Sequence, residues 1–531
     1  MGVFIALALL LLALYLAYRW SIASYDFFKL RGVPFVKPLP LVGGMFPVLS
    51  GAMSVVDCTS EGYRRFRASR FSGLFMFRQP AYLIHDPELI KRIAIADFDH
   101  FVDHSFKFST KMDPFLGRSL FFMDGLRWRQ GRSGLSPAFT GSKMRSMFGL
   151  LTSYCEGAMR RLVNSEGVRE MELKDLFKRV GNDVMTSISF GIDVDSVKDP
   201  QNDFFKNGKS FTNTEGIQGF KFFLATMIPE YIFTFLRIRL TPAPVAKFYE
   251  TVVTCSIKSR EEKKVIRPDF IHLLMQARKN ILQEDQSDRN LESAGFSTVP
   301  EHLQSSPSDL VEWSDLDITA AVASFFFGGI ESTTTMLCFT VYEVSLLPEV
   351  QAKLHAEIDS VQNNLEDNKL TYESIQKMKY LDMVVSETLR LWPPIGLTNR
   401  KCTKDYIMKN NDGTQVTLTK GDIIQLPIES IHRDSRFFPE PMRFDPERFS
   451  DENCHLLNQD AYMPFGLGPR NCVGSRLALM QAKCILYYLF LNFEVQISSR
   501  TDVPMQLDKR SMGVNAQNGF WFHLVPRRED V

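Results

Sequence analysis

The residues with the clearest chemical potential lie in Phe465-Gly466-Leu467-Gly468-Pro469-Arg470-Asn471-Cys472-Val473-Gly474. Two glycines allow a tight loop with backbone N–H groups facing inward, Arg470 offers a planar fork to an acidic group, and Gly474 lets a following helix approach closely. That helix carries Leu477, Met480, Cys484, Tyr487 and Leu491 on one side, a buried-face pattern. Cys472 therefore sits where a loop enters a helix. A thiolate there is stabilised by the helix N-terminus and by backbone hydrogen bonds, which suits it to hold iron. Of the 8 cysteines, those at 58, 155, 255, 338, 402, 454 and 484 read as small buried hydrophobes. No C-x-x-C pair suggests zinc or dithiol chemistry, and no C-x-x-C-H suggests covalent haem attachment.

Gly328-Gly329-Ile330-Glu331-Ser332-Thr333 is the second constellation. Adjacent glycines weaken a helical ladder and leave room beside the backbone for a ligand or water, while an acid followed by hydroxyls makes a proton path. An acid stranded in a core helix is otherwise costly. In Glu387-Thr388-Leu389-Arg390, acid and base share one helical face. Trp128 and Arg132 are one turn apart, so an indole N–H and a guanidinium can aim at the same anionic group.

At these spacings the Phe, Gly, Gly, Arg, Cys and Gly of the Cys472 segment resemble the cytochrome P450 superfamily. The chain resembles a microsomal member over its full length, and its use of 44 phenylalanines is similar to the insect detoxification families, insect family 9 in particular. The resemblance implies haem b in a loop built by Phe465 and Gly474, with Cys472 as iron ligand. It implies Trp128, Arg132, Arg400 and Arg470 on the haem propionates, with His104 where an arginine is common. It also implies that Arg448, in Phe444-Asp445-Pro446-Glu447-Arg448-Phe449, joins Glu387 and Arg390 in a buried structural network. In the family an acid and an alcohol deliver protons during dioxygen activation, with electron push from the thiolate. The acid here is Glu331. The aligned alcohol is Ser332 where Thr is usual, and Thr333 reaches the same spot only if the helix bulges at the glycine pair, because successive residues differ by about 100°. The pocket walls implied are Phe106, Phe108 and 115–122, then 204–235, 325–327, 395–398 and 512–514.

The elements that must position these groups read as mainly α with small β-sheets, an α+β architecture consistent with the cytochrome P450 fold. A long helix is expected from an N-cap at Ser314, with Asp315 and Asp317 in its first turn, to Leu347 before Pro348, roughly 50 Å in length. Strand-like runs are short, at 81–85, 415–418 and 519–522. The polar stretch 281–308 reads as a surface loop. Residues 1–18 contain no charge and span about 27 Å as a helix, which suits a transmembrane anchor rather than a cleaved signal peptide. Residues 19–50, with Pro34, Pro38, Pro40, Gly43 and Gly44, read as a stiff linker, and 51–531 as the catalytic domain. Arg19, Lys29, Arg31 and Lys37 follow the anchor, which places the catalytic body in the cytoplasm, and the resemblance to microsomal members implies an endoplasmic reticulum membrane.

Hydrophobic residues are 45% and charged residues 23%, ordinary globular values, and a formal charge of +1 gives no footing for nucleic-acid binding. No flavin or dinucleotide fingerprint is present, so electrons must arrive from a partner; the resemblance implies NADPH through NADPH–cytochrome P450 reductase, with cytochrome b5 as a second candidate. Arg127, Arg129, Lys143, Arg145 and Lys483 form a candidate basic docking face. The stretch 228–240 suits contact with the lipid surface. The function expected is a monooxygenase acting on lipophilic substrates, xenobiotics or endogenous lipids and hormones. A haem-thiolate isomerase or dehydratase and a non-catalytic haem or lipid carrier are the alternatives, and the acid–hydroxyl pair argues against both.

Overall fold

A computed structural model describes residues 1–106, 108–163, 167–212, 219, 221–222, 224–225, 230–279, 295–299, 313–511 and 513–527. α1 (Gly2–Ile22) has none of its apolar window buried and a mean hydropathy of 2.1, touches the body only toward its end, where Ser21 is buried and Arg78 lies over Trp20, and is long and apolar enough to cross a membrane. It runs past residue 18 because nothing in Arg19-Trp20-Ser21-Ile22 breaks a helix.

The helices that frame the site are α2 (Gly125–Leu135), α3 (Gly141–Val163), α4 (Leu173–Phe190), α5 (Ala243–Lys263), α6 (Phe270–Arg278), α7 (Asp315–Leu346), α8 (Lys379–Leu391) and α9 (Ser475–Asn492). α7 begins in a capping box. Ser314 Oγ accepts the Asp317 N–H at 3.1 Å and the Asp317 carboxylate accepts the Ser314 N–H at 3.2 Å. The helix stops before Pro348 and crosses the main core, packing chiefly on α4 and also on α5, α8 and α9. α9 is buried on nearly all its faces rather than on one, because it is enclosed by α3, α7, α8 and the 348–363 helix. Lys483, expected on an exposed basic face, is fully buried on α9 and pairs with Asp382 of α8 at 2.6 Å.

Among the described residues the strands are short: β1 (Phe71–Met76), β2 (Gln79–Ile84), β3 (Arg169–Glu172), β4 (Thr398–Lys401), β5 (Tyr406–Lys409), β6 (Gln415–Leu418), β7 (Ile423–Leu426), β8 (Phe493–Ile497) and β9 (Trp521–Pro526). One sheet runs β1-β2-β7-β4, with β2 parallel to β7 and Arg400 of β4 opposite Ile424. A second runs β3-β9-β8, and β5-β6 form a hairpin. β9 starts at Trp521 rather than 519, since Gly519 has a φ of +84° and the Phe520 N–H is taken by the Glu172 carboxylate.

The connector 19–50 is more than a spacer. Phe28 is fully buried, its ring centroid 5.1 Å from those of Phe75 and Tyr82. Gly73 makes room for it, because a Cβ there would fall 2.5 Å from the Phe28 ring. Of the polar stretch expected as a surface loop, 281–294 and 300–308 lie outside the described residues, while Ser297 is buried.

Candidate active site

The Cys472 loop closes on itself. Phe465 C=O accepts the Cys472 N–H at 2.8 Å and Met463 C=O accepts the Gly466 N–H at 3.0 Å. Gly466 and Gly468 have φ of +76° and +69°, and a Cβ on Gly468 would fall 1.8 Å from the Ala94 carbonyl oxygen, so only glycine fits. Gly474 precedes α9, but a Cβ there would meet only Phe139 at 3.9 Å. The close approach expected at Gly474 therefore belongs to Gly468. Cys472 is exposed between buried Asn471 and buried Ser475, at the loop-to-helix junction.

Around the loop three guanidiniums gather. Arg470 is buried, donates to the Val102 and Met123 carbonyls at 2.8 Å each, and lies 3.9 Å over the Trp128 ring. Arg400 is fully buried on β4; its Nη1 donates to Asn399 C=O at 2.8 Å, while its Nε has no partner among the described residues. His104 Nδ1 donates to the same carbonyl at 2.9 Å and stands 3.5 Å from Arg400. Burial and the neighbouring Arg400 charge push Arg470 down to about 8, and burial pushes Arg400 down to about 10. Arg132 donates to the Asn471 carbonyl at 2.8 Å and to Asn471 Oδ1 at 2.6 Å, bracing the residue before Cys472 from α2. Buried like charges, opposed by Asp103 at 3.8 Å from Arg470 and by Asp124, are costly until an anion joins them. The orphaned Arg400 Nε and this cationic cluster beside an accessible thiol fit a haem with two propionates.

In the middle of α7, Phe325, Gly328, Ser332 and Thr335 form an accessible stripe along one face of a largely buried helix. The glycine pair divides its work. A Cβ on Gly328 would meet nothing within 4 Å, whereas one on Gly329 would fall 2.7 Å from Met185 of α4. Ser332 Oγ donates to Gly328 C=O at 2.6 Å on the open face. Thr333 is 1% exposed on the buried face, its hydroxyl without a partner among the described residues, and the helix continues without a bulge. Glu331 turns toward α4, where Lys178 Nζ donates to it at 2.7 Å. That pair lines a crevice of about 220 Å³ with Lys174, Asp175, Phe205 and Lys209. Phe139 links the two halves of the site, next to Gly474 on one side and 4.9 Å from the Phe325 ring on the other. Phe326 and Phe327 are core, stacked among Phe190, Tyr249 and Phe211, and Phe108 and Phe115 are buried as well. The expected wall residues Met512, 213–218, 220, 223 and 226–229 lie outside the described residues.

Behind the loop, Glu387 and Arg390 are fully buried and bidentate, at 2.7 and 2.8 Å, with Arg448 at 3.3 Å and the Asp445 N–H donating at 2.9 Å. Burial pushes the Glu387 carboxyl up, and the two guanidiniums and the amide act against that shift. One connecting residue carried no spacing signal in the sequence. His432 donates from Nδ1 to Arg390 C=O at 3.2 Å and accepts the Met463 N–H on Nε2 at 2.9 Å, so it joins the network to the start of the cysteine loop. Burial and the Arg390 charge push it down to about 3, so it is neutral. On the candidate docking face Arg127, Arg129 and Arg145 pair with Asp317, Asp99 and Glu373 at the surface.

Comparison with known proteins agrees with this geometry. The family model described as Cytochrome P450 matches residues 33–522. The chain is 39% identical to "Cytochrome P450 9e2" of Blattella germanica, over 98% of this chain and 97% of that protein. It is 38% identical to "Probable cytochrome P450 9f2" of Drosophila melanogaster, over 98% and 99%. "Probable cytochrome P450 6a14" of the same fly is 33% identical, over 98% and 99%.

Proposed function

Because the chain belongs to the cytochrome P450 family, we propose that this haem monooxygenase is microsomal and inserts one oxygen atom into lipophilic compounds, either xenobiotics or endogenous lipids and hormones. Haem b bound through Cys472 supplies dioxygen activation, with electrons from NADPH through a reductase. The balance is one substrate C–H, one dioxygen, one NADPH and one proton giving an alcohol, water and NADP⁺.

The chain's own residues hold the cofactor and move protons. Arg400 and Arg470, with Trp128 against the latter, receive the propionates. Glu331 exchanges protons with water in the crevice on the α4 side, where Lys178 holds it, and Ser332 presents its hydroxyl on the open side of the same helix. An acid and a hydroxyl side by side in one turn of α7, the acid reaching the crevice and the hydroxyl the open face, is the observation that carries the reading. α1 anchors the enzyme in the endoplasmic reticulum with the body in the cytoplasm. Exposed Tyr231, Phe235 and Leu236 form a second lipid contact. NADPH–cytochrome P450 reductase, and cytochrome b5 as a second donor, dock on the Arg129 and Lys143 side.

The test is expression with the reductase, a carbon-monoxide difference spectrum, and turnover of a lipophilic panel under isotopically labelled dioxygen. The reading expects a thiolate-type spectrum and one labelled oxygen per product, dependent on NADPH. Product formed from peroxides without NADPH would point instead to an isomerase or dehydratase.

A further inference from the structure

Between α6 and α7, residues 295–299 sit in a notch made by three parts of the chain that lead to Cys472. Ser297 is 3% exposed, and its hydroxyl is 2.7 Å from the Tyr462 OH and 2.9 Å from Ser386 Oγ. The Phe296 ring packs at 4.8 Å on Phe449 and 5.4 Å on Tyr462, and its N–H donates to Asp382 at 2.9 Å. Gly295 has a φ of +94°, and a Cβ there would fall 2.3 Å from the Asp382 carboxylate, so the entry into the notch requires glycine. Asp382, Ser386 and Arg390 follow one another at single turns along α8, and Asp382 also pairs with Lys483 of α9. From Tyr462 the contacts continue toward the iron ligand. Its ring stacks on His432 at 5.5 Å and 19°, His432 accepts the Met463 N–H, and Phe465 holds the Cys472 N–H.

Three hydroxyls buried together are expensive unless each is satisfied, and a connection that only needed to pass by would remain at the surface. We propose that Phe296 and Ser297 are positioning residues for Cys472. They form an internal plug that holds Tyr462 against His432 and so fixes the start of the cysteine loop. The inference rests on Cys472 being the iron ligand.

The full-length, haem-loaded protein and its Ser297→Ala, Tyr462→Phe, double and Phe296→Ala variants are compared by the lifetime of the thiolate band of the reduced carbon-monoxide complex on mild warming, beside helix unfolding followed by circular dichroism. Each hydroxyl deletion is expected to shorten that lifetime about fivefold, as the loss of one buried hydrogen bond would. The double variant should lose less than the two single ones combined, because they share the Ser297–Tyr462 contact, while the Ser297–Ser386 contact and the Tyr462 bond to Ser386 C=O are lost separately. The thiolate should be lost before the helices melt, with substrate KM unchanged. Lifetimes equal to the parent's, or thiolate loss that coincides with helix unfolding in every variant, would overturn the plug. Should Phe296→Ala fail to fold, the hydroxyl pair decides alone. A parent protein with no thiolate band would instead sink the ligand assignment itself.

Discussion

Behind Cys472 the Glu387–Arg390–His432 network is bonded to saturation, whereas on α7 the polar group that matters most lies on an accessible stripe. Glu387 is met by two guanidiniums and a backbone amide with no exposure, and His432 uses both ring nitrogens to join Arg390 to Met463. Ser332, by contrast, returns its proton to its own helix at Gly328 C=O and leaves its lone pairs accessible. The first region is built to hold one geometry, because each broken bond leaves a buried charge or dipole unpaired. The second is built to be used, because a hydroxyl on an accessible stripe can change partner at little cost to the fold.

The contrast is broken most severely at Glu387. Glu387→Ala strands Arg390 and should cost about 3–5 kcal/mol, losing folded haem protein in a denaturant titration. Glu331→Gln breaks a half-exposed pair with Lys178 and should cost only about 0–1 kcal/mol in the same titration. Equal losses would mean that the two regions do not differ in kind.

Acid should act next most strongly. His432 is held at about 3, below the ordinary 6.5, so the unfolded chain takes up the proton first. Its contribution is intact above pH 6.5 and declines by about 1.4 kcal/mol per pH unit as pH falls toward 3. Unfolding measured between pH 7 and about 4.5 should show a shallower slope in His432→Gln, and an unchanged slope would remove His432 from the account. The smallest effect is expected at Thr333, whose orphaned hydroxyl is replaced by a methyl in Thr333→Val. Stability should stay level or rise by up to about 1 kcal/mol.

Much of the first region was legible in the sequence, because loops and short motifs impose fixed spacings. Phe465 to Gly474 had to close on a cysteine, and Glu387 and Arg390 had to share a face. What stayed hidden depended on burial and on partners distant in sequence. Lys483 looks like any surface lysine until α9 proves enclosed, and no spacing announces that Arg132 braces Asn471. His432 is a lone histidine with no periodic companion, and Phe296 and Ser297 lie within a polar stretch whose composition suggests a loop. On α7 helical phase alone set Ser332 and Thr333 on different faces, and the unbroken helix keeps them there. The pocket was less legible because buried phenylalanines serve core and cavity alike, as Phe325 and its neighbours Phe326 and Phe327 illustrate.

The most direct test is the product formed per NADPH consumed by the reductase-reconstituted enzyme, with peroxide release followed in parallel, for Ser332→Ala against Thr333→Val. Ser332→Ala should lower that ratio by about tenfold or more and raise peroxide, while Thr333→Val should match the parent. Coupling that survives in Ser332→Ala and fails in Thr333→Val would contradict the assignment of the open hydroxyl as the proton donor.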